Sequence, residues 1–168
     1  MNNKQVADIK DTYKYNSVDM AIYIVALAND RKFGINITKV QKLLYIIYGV
    51  YLRIYSSRLI NEHPQAWPYG PVFPTTRNRL LKKDLSQVTM SDVPDELKKD
   101  SELLDIINFV LNRFSTWNAG QLSEWSHSEG SPWDLTTQKE NFEWGDPIDD
   151  ELIIEYFTEI VKVDGENN

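Results

Sequence analysis

The chain has 168 residues, of which 42% are hydrophobic and 26% charged, so it is long enough to bury the core of one globular domain. It contains no cysteine, which excludes disulfides and thiolate chemistry and leaves His63 and His127 as the histidine ligands for any metal. The formal net charge of −7 argues against general nucleic-acid binding.

The charge is distributed unevenly along the chain. Residues 1–84 hold 13 Lys or Arg against 6 Asp or Glu, whereas residues 85–168 hold 5 against 19. Either the two halves pack together and partly neutralise each other, or the folded surface is polarised and attracts a charged partner. Both interpretations are open at this stage.

The ends of the chain are polar. Residues 1–15 predict a flexible lead-in, the domain itself is assigned to 16–162, and 163–168 form a tail. The first five residues lack the apolar segment of a signal peptide. The longest apolar stretch is interrupted by charged residues such as Lys42, so we expect no membrane-spanning helix and a cytoplasmic protein.

Apolar residues recur at helical spacing after Asn16 or Ser17, either of which can cap a first helix. Gly34 can end that helix in the left-handed conformation. A second helix is predicted over 38–56, with Thr38 as its cap. Its apolar stripe is wider than one face, which is typical of a helix that is buried on most sides and central to the core. Within it, Leu44 should be almost wholly buried.

Residues 57–74 are rich in proline and glycine, which predicts an extended loop or a short hairpin. Pro74 is suited to the first position of a helix, because its missing N–H would be unpaired there in any case. That helix carries four basic side chains, Arg77, Arg79, Lys82 and Lys83.

The remaining segments complete a helical pattern. In chain order they are a linking loop at 84–95, a helix at 96–114, a helix after Asn118 that ends near His127, a short helix opened by Pro132, and a last helix at 148–162. No strand-like alternation of useful length interrupts them. The predicted fold is mainly α, a compact single-domain array of six to seven helices with a Pro/Gly-rich loop or short hairpin at 57–74.

Three segments resemble the SocA-like antitoxin family, also described as the Panacea or phage-associated GepA-like family. They are Thr38–Tyr45 (TKVQKLLY), Gln65–Pro74 (QAWPYGPVFP), and Leu122–His127 (LSEWSH) followed by Ser131–Trp133 (SPW). Their order and spacing also resemble the family, and the likeness spans residues 17–161. The chain departs from the family pattern at Gln65, where Glu is usual, at Pro68, which adds rigidity, and at Ser126, where Thr is usual.

The resemblance implies an antitoxin that neutralises a protein toxin from an adjacent gene by direct binding. In the SocA type it also implies delivery of the toxin to a protease. The alternative is a phage or prophage protein that binds and modulates a host protein, and an adjacent toxin-like gene would distinguish the two. Under either interpretation we expect no enzyme activity and no cofactor.

Two sets of residues suggest catalytic or metal chemistry. Ser126, His127 and Glu129 are suitable types for nucleophilic catalysis, but neighbouring helical residues point about 100° apart, and no strained nucleophile turn is present. His63 and His127 could hold zinc with Glu62 or Glu129 only if they converge. We therefore predict no catalytic residue and no metal site.

The aromatic and basic residues allow further interpretations. Tryptophans could stack on nucleic-acid bases and the basic helix could contact phosphate, but a structural aromatic cluster and an acidic protein partner fit a chain of negative charge better. We expect Trp67, Gly70, Pro71, His127 and Trp133 to meet, with His127 donating a hydrogen bond to the loop. The residues predicted to support the motifs or bind the partner are Lys42, Trp67, Tyr69, Gly70, Pro71, Arg77, Lys82, His127 and Trp133.

Overall fold

The computed structural model describes residues 8–162, and this part of the chain folds mainly into helices around one long central helix. The helices are α1 (Ser17–Asp30), α2 (Ile37–Tyr55), α3 (Pro74–Leu80), α4 (Asp95–Lys99), α5 (Ser101–Phe114), α6 (Ala119–Ser126), α7 (Pro132–Thr137) and α8 (Asp150–Ile160). Single 3-10 turns occupy Leu85–Gln87 and Met90–Asp92 in the predicted linking loop. The mainly helical prediction is confirmed, although the described residues hold eight α-helices rather than six or seven.

Helix α2 is the centre of the core, as its wide apolar stripe predicts. Every residue from Lys39 to Leu52 is buried, and Leu44 is 0% exposed. The helix packs against α1, α5, α6 and α8. Gly49 allows the close approach of α8, because a Cβ there would lie 2.3 Å from the Phe157 ring.

Two small sheets flank the helices. Strand β1 (Lys10–Tyr15) pairs in parallel with β2 (Ser57–Ile60), and β3 (Gln65–Trp67) pairs antiparallel with β4 (Gly70–Val72). The second pair confirms the hairpin considered for the proline-rich segment. Among residues 8–162, no helix is long and apolar enough to cross a membrane.

Strand β1 corrects the prediction of a flexible lead-in for its residues, while 1–7 and 163–168 lie outside the described part of the chain. The first five residues of β1 are exposed, so the strand has no apolar alternation that the sequence could reveal. It is fixed instead by backbone pairing with β2 and by Asp100, which accepts hydrogen bonds of 2.7 Å from both Lys14 Nζ and Tyr15 Oη.

The ends of two helices also differ from prediction. Asn36, not Thr38, caps α2, with its side chain accepting a bond of 2.9 Å from Lys39 N. Helix α1 ends before Gly34, and Lys32 takes the left-handed conformation with φ +58°. Both shifts follow from side-chain hydrogen bonding and turn geometry, which apolar periodicity does not report.

The predicted helix at 96–114 is split in two. Asp100 has an extended backbone and caps α5, with its Oδ1 accepting a bond of 3.0 Å from Leu103 N. Burial raises the pKa of the Asp100 carboxyl, but bonds from Lys14, Leu103 N and Tyr15 outweigh it and bring the pKa down to about 2. By contrast, the helix predicted after Asn118 is confirmed as α6, and Asn118 and Gln121 form a capping box at its start.

Candidate partner-binding site

The β3–β4 hairpin contains the second of the three motifs, and the other two motifs surround it. Trp67 and Gly70 pair across the two-residue turn. Gly70 has φ +110°, and a Cβ at this position would lie 2.6 Å from Ser126 Oγ and 3.1 Å from Lys42 Cε. Glycine is therefore required for both its conformation and its lack of a side chain. It marks the point where the three motifs meet.

The first motif holds the hairpin through two polar side chains of α2. Lys42 Nζ donates a hydrogen bond of 2.9 Å to Pro71 O, and Gln41 Oε1 accepts one of 2.7 Å from Phe73 N. Both side chains are buried. Because these bonds link the central helix directly to the hairpin backbone, they fix the position of the hairpin relative to the core.

Lys42 is unusual because its ammonium lies among buried groups. The side chain is 2% exposed, and burial lowers the pKa of its ammonium to about 8. Lysines of lowered pKa act as nucleophiles in some enzymes. Here the amine is covered by the hairpin and is bonded to Pro71 O. Its contacts therefore assign it to holding the hairpin in place.

The third motif holds the hairpin from its other end. Trp133 Nε1 donates a hydrogen bond of 2.7 Å to Trp67 O, and the Trp133 ring packs on the His127 ring with centroids 5.3 Å apart. The hydrogen bond that was predicted to come from His127 is thus donated by Trp133 instead. His127 supports the Trp133 ring. The five residues expected to meet therefore lie together. Trp133 contacts both Trp67 and His127, Gly70 pairs with Trp67, and Pro71 is the next residue of the same strand.

The predicted contact residues differ in how free they are. Tyr69, at the turn of the hairpin, is 79% exposed. Lys82 is exposed and follows the end of α3. Arg77 is half-buried, with its guanidinium 5.6 Å from the centroid of the Trp67 ring. Tyr69 and Lys82 are therefore available to a partner, whereas Arg77 already contacts the hairpin.

The polar groups weighed for catalysis have separate contacts. Ser126 Oγ donates a bond of 2.8 Å to Ser123 O beside Gly70, whereas His127 packs on Trp133. The other histidine, His63, donates from Nε2 to Ile148 O at 2.7 Å. No group of three His, Asp or Glu side chains within residues 8–162 is arranged to hold a metal ion.

A buried carboxylate connects α8 to the region of β2. Asp150 accepts hydrogen bonds from Tyr48 Oη at 2.6 Å and from Arg58 Nε at 2.8 Å. Burial and the neighbouring Asp150 charge raise the pKa of the Tyr48 hydroxyl, so this group stays protonated and remains a donor. Asp150 is also the first residue of α8, where the positive end of the helix dipole favours a carboxylate.

Two aromatic residues of the site were missed by the sequence analysis. Trp144 and Phe142 lie between α7 and α8, where the chain forms an additional edge of the hairpin: Gly145 N donates to Ala66 O, and Ala66 N donates to Asp146 O, both at 2.9 Å. Trp144 stacks on Trp133 with centroids 6.2 Å apart. In the sequence these two residues are marked only as aromatic residues in a polar segment that also contains a glycine. That segment has neither helical nor strand periodicity.

Comparison with known proteins leads to the same family as the three motifs. The profile of the family described as "Antitoxin SocA-like, Panacea domain" matches residues 40–134. Antitoxin SocA of Caulobacter vibrioides (strain NA1000 / CB15N) is 33% identical over an alignment 108 residues long, which covers 56% of this chain and 56% of the relative. The chain thus spans little more than half the length of that relative.

No solved structure matches the chain. The profile covers all of α3, α4, α5 and α6 and the hairpin, and most of α2 and its buried Lys42. It ends within α7, just after Trp133. Because this match takes in more than half of the residues, including the hairpin and the Lys42, Gln41 and Trp133 side chains that hold it, the chain belongs to the SocA-like antitoxin family with a Panacea domain.

Proposed function

We propose that this protein is the antitoxin of a toxin–antitoxin pair and neutralises a cognate protein toxin, encoded by an adjacent gene, through direct binding. Membership of the SocA-like family supports this role. The observation that carries it is the hairpin, whose turn is exposed while its backbone is bonded to the core from both sides. A loop held in this way loses little conformational freedom on binding, and that lowers the cost of complex formation.

The hairpin turn and the end of α3 form the surface that we assign to the toxin. Tyr69 presents a large aromatic ring with a hydroxyl, a side chain type enriched at the energetic centres of interfaces. Arg79, Lys82 and Lys83 are exposed nearby in the chain and add positive charge. This combination suits a partner with an acidic region around an apolar pocket.

A binding role also fits the contacts of the motif residues. Two polar side chains that suggest chemistry, Lys42 and Ser126, are each hydrogen-bonded to a backbone carbonyl. Groups used in this way stabilise a shape. The motif residues can therefore be explained by a role in supporting a binding surface, and no reaction step is needed to explain them.

The direct test is co-expression with the product of the adjacent gene. We expect the wild-type chain to restore growth and to co-purify with that product. Tyr69→Ala should weaken the complex without lowering the melting temperature, because the ring is exposed. Phe109→Ala is the matched control, since Phe109 is an exposed aromatic on α5. Absence of both rescue and co-purification for the wild type would contradict the proposal.

The fate of the bound toxin is a separate question with its own measurement. Delivery to a protease, which the family resemblance implies, predicts that the toxin's half-life shortens when the antitoxin is present. Neutralisation by occlusion alone predicts an unchanged half-life. Following the toxin after synthesis is stopped, with and without this chain, distinguishes the two modes, and growth rescue is expected in both.

A further inference from the structure

A second exposed surface lies beside the hairpin and is formed by Trp133, Phe142 and Trp144, here called the aromatic ridge. Trp144 is 57% exposed and stacks on Trp133 at a centroid distance of 6.2 Å and an interplanar angle of 30°. Phe142 meets Trp144 edge-on at 5.0 Å. Trp144 thus offers an accessible indole, and tryptophan is among the side chains that contribute most to the energy of interfaces.

The ridge is held rigidly. Trp133 is bonded to Trp67 O, and the backbone after Trp144 pairs with the hairpin through Gly145 N and Ala66 O at 2.9 Å. The rings are therefore presented in one arrangement, supported by the same backbone that carries the hairpin. A fixed aromatic surface reduces the entropy that a partner must overcome on binding.

The chain around the ridge is acidic. Residues 124–149 contain seven Asp or Glu and one basic residue, Lys139. That lysine is paired with Asp149. Glu129, Glu140 and Glu143 are exposed, and within residues 8–162 these three carboxylates form no ion pair. The ridge therefore lies in a region of uncompensated negative charge, which repels phosphate groups and acidic surfaces and attracts cations.

The protein itself contains a contact between an arginine and a tryptophan ring. The Arg77 guanidinium lies 5.6 Å from the centroid of the Trp67 ring of the hairpin. Guanidinium groups are attracted to indole faces and form paired hydrogen bonds with carboxylates, so an arginine suits a tryptophan beside glutamates better than any other side chain. Trp144 and the adjacent Glu143 offer both features, and no guanidinium among the described residues contacts the Trp144 ring.

We infer that the aromatic ridge is a docking surface for an arginine-bearing segment of a protein partner, with a guanidinium over Trp144 and paired with Glu140 or Glu143. The inference rests on the proposed function insofar as that partner is the toxin. The antitoxin then binds the toxin through two neighbouring surfaces of opposite charge, which are the basic end of α3 and the aromatic ridge with its acidic surroundings. The polarised charge of the sequence becomes part of recognition.

The ridge is tested first without the toxin. The five indole N–H signals of the 15N-labelled full chain are recorded by NMR, and the Trp144 signal is identified by its loss in Trp144→Phe. A blocked peptide with two arginines is titrated against its citrulline counterpart, which keeps the shape and removes the charge. We expect saturable shifts of the Trp144 signal by the arginine peptide and binding weaker by about threefold or more for citrulline.

Other results overturn the inference. Equal shifts by both peptides would show that charge plays no part. Stronger shifts by an acidic peptide or by a single-stranded oligonucleotide would assign the ridge to another class of ligand. Concentration-dependent shifts of the Trp144 signal without any ligand, lost in Glu140→Lys with Glu143→Lys, would show that a second copy of this chain occupies it.

The second arm uses the product of the adjacent gene and measures the dissociation constant by calorimetry. We expect Trp144→Ala, and separately Glu140→Lys with Glu143→Lys, to weaken the complex by about tenfold or more. Phe109→Ala should leave it unchanged. If the wild type binds but these variants bind equally well, the ridge inference fails and the antitoxin proposal stands. If the wild type does not bind, the antitoxin proposal fails, and the peptide titration still decides the ridge.

Discussion

The core side and the hairpin side of α2 are stabilised in different ways. The core side is apolar, and residues such as Leu43, Leu44 and Ile47 are wholly buried among several helices. The hairpin side adds a few directional bonds, from Lys42, Gln41 and, outside α2, Trp133, to the burial of small apolar residues such as Ala66. Apolar burial is spread over many contacts, whereas each bond to the hairpin is a single contact. The core is therefore expected to control folding, and the bonds are expected to control the shape of the binding surface.

The largest effect should come from the core. Leu44→Ala removes a fully buried side chain and is expected to lower the free energy of unfolding by about 2–5 kcal/mol in urea denaturation. Ile54→Ala is the control on the same helix, because Ile54 is 36% exposed and should cost much less. A loss below about 1 kcal/mol for Leu44→Ala would mean that the core is not centred on α2.

A smaller effect is expected where Trp133 holds the hairpin. Trp133→Phe keeps an aromatic ring but removes the N–H that donates to Trp67 O, so the free energy of unfolding should fall by about 1–2 kcal/mol. Trp144→Phe makes the same chemical change on the exposed ring and should change it by less than about 0.5 kcal/mol. Equal losses for both variants would show that ring size, not the hydrogen bond, is what matters.

Because of Lys42, the free energy of unfolding is expected to depend on pH. Its folded pKa of about 8 lies below the unfolded value of 10.5, so the unfolded chain binds the proton more tightly. Stability is therefore lowest below pH 8 and rises as the pH approaches 10.5. Between pH 7 and pH 9 the gain should be about 1 kcal/mol.

The control for this prediction is Lys42→Met, which keeps the length of the side chain and removes the titrating group. Lys39, whose pKa burial also lowers, contributes with the same sign in both proteins, so the difference between the two pH profiles isolates Lys42. Urea denaturation at four or five pH values up to 9 provides the measurement. Parallel profiles would contradict a buried, titrating ammonium beneath the hairpin.

The same contrast explains how much the sequence could predict. Periodicity locates α2 and the burial of Leu44, because a helix that is surrounded on most sides must be apolar on most sides. It cannot locate β1, whose residues are mostly exposed and whose pairing involves backbone atoms. It also cannot show that Asp100 divides the helix predicted over 96–114, since one side-chain bond decides that break.

For the candidate site, the motifs predict which segments meet but not which atoms bond. The proline and glycine content of 57–74 predicts a hairpin, but it does not show that Pro68 and Tyr69 form the turn while Gly70 and Pro71 begin β4. The choice between His127 and Trp133 as the donor to the hairpin depends on ring orientation, which spacing does not determine. Trp144 joins the site through the tertiary pairing of its segment with β3 and through its stacking on Trp133, and neither contact follows from a local pattern.

The smallest predicted effect separates two arginines of α3. Arg77→Glu and Arg79→Glu change the net charge equally, but only Arg77 contacts the Trp67 ring among the described cation–aromatic pairs. Arg77→Glu should therefore lower the free energy of unfolding by about 0.5–1 kcal/mol, and Arg79→Glu by less than about 0.5 kcal/mol. Urea denaturation at low and high salt is the measurement, because salt screens the general charge effect common to both variants while the ring contact persists. If the two variants remain indistinguishable at high salt, the Arg77 contact contributes nothing to the hairpin. Its guanidinium would then be free to serve the partner, together with Arg79 and Lys82.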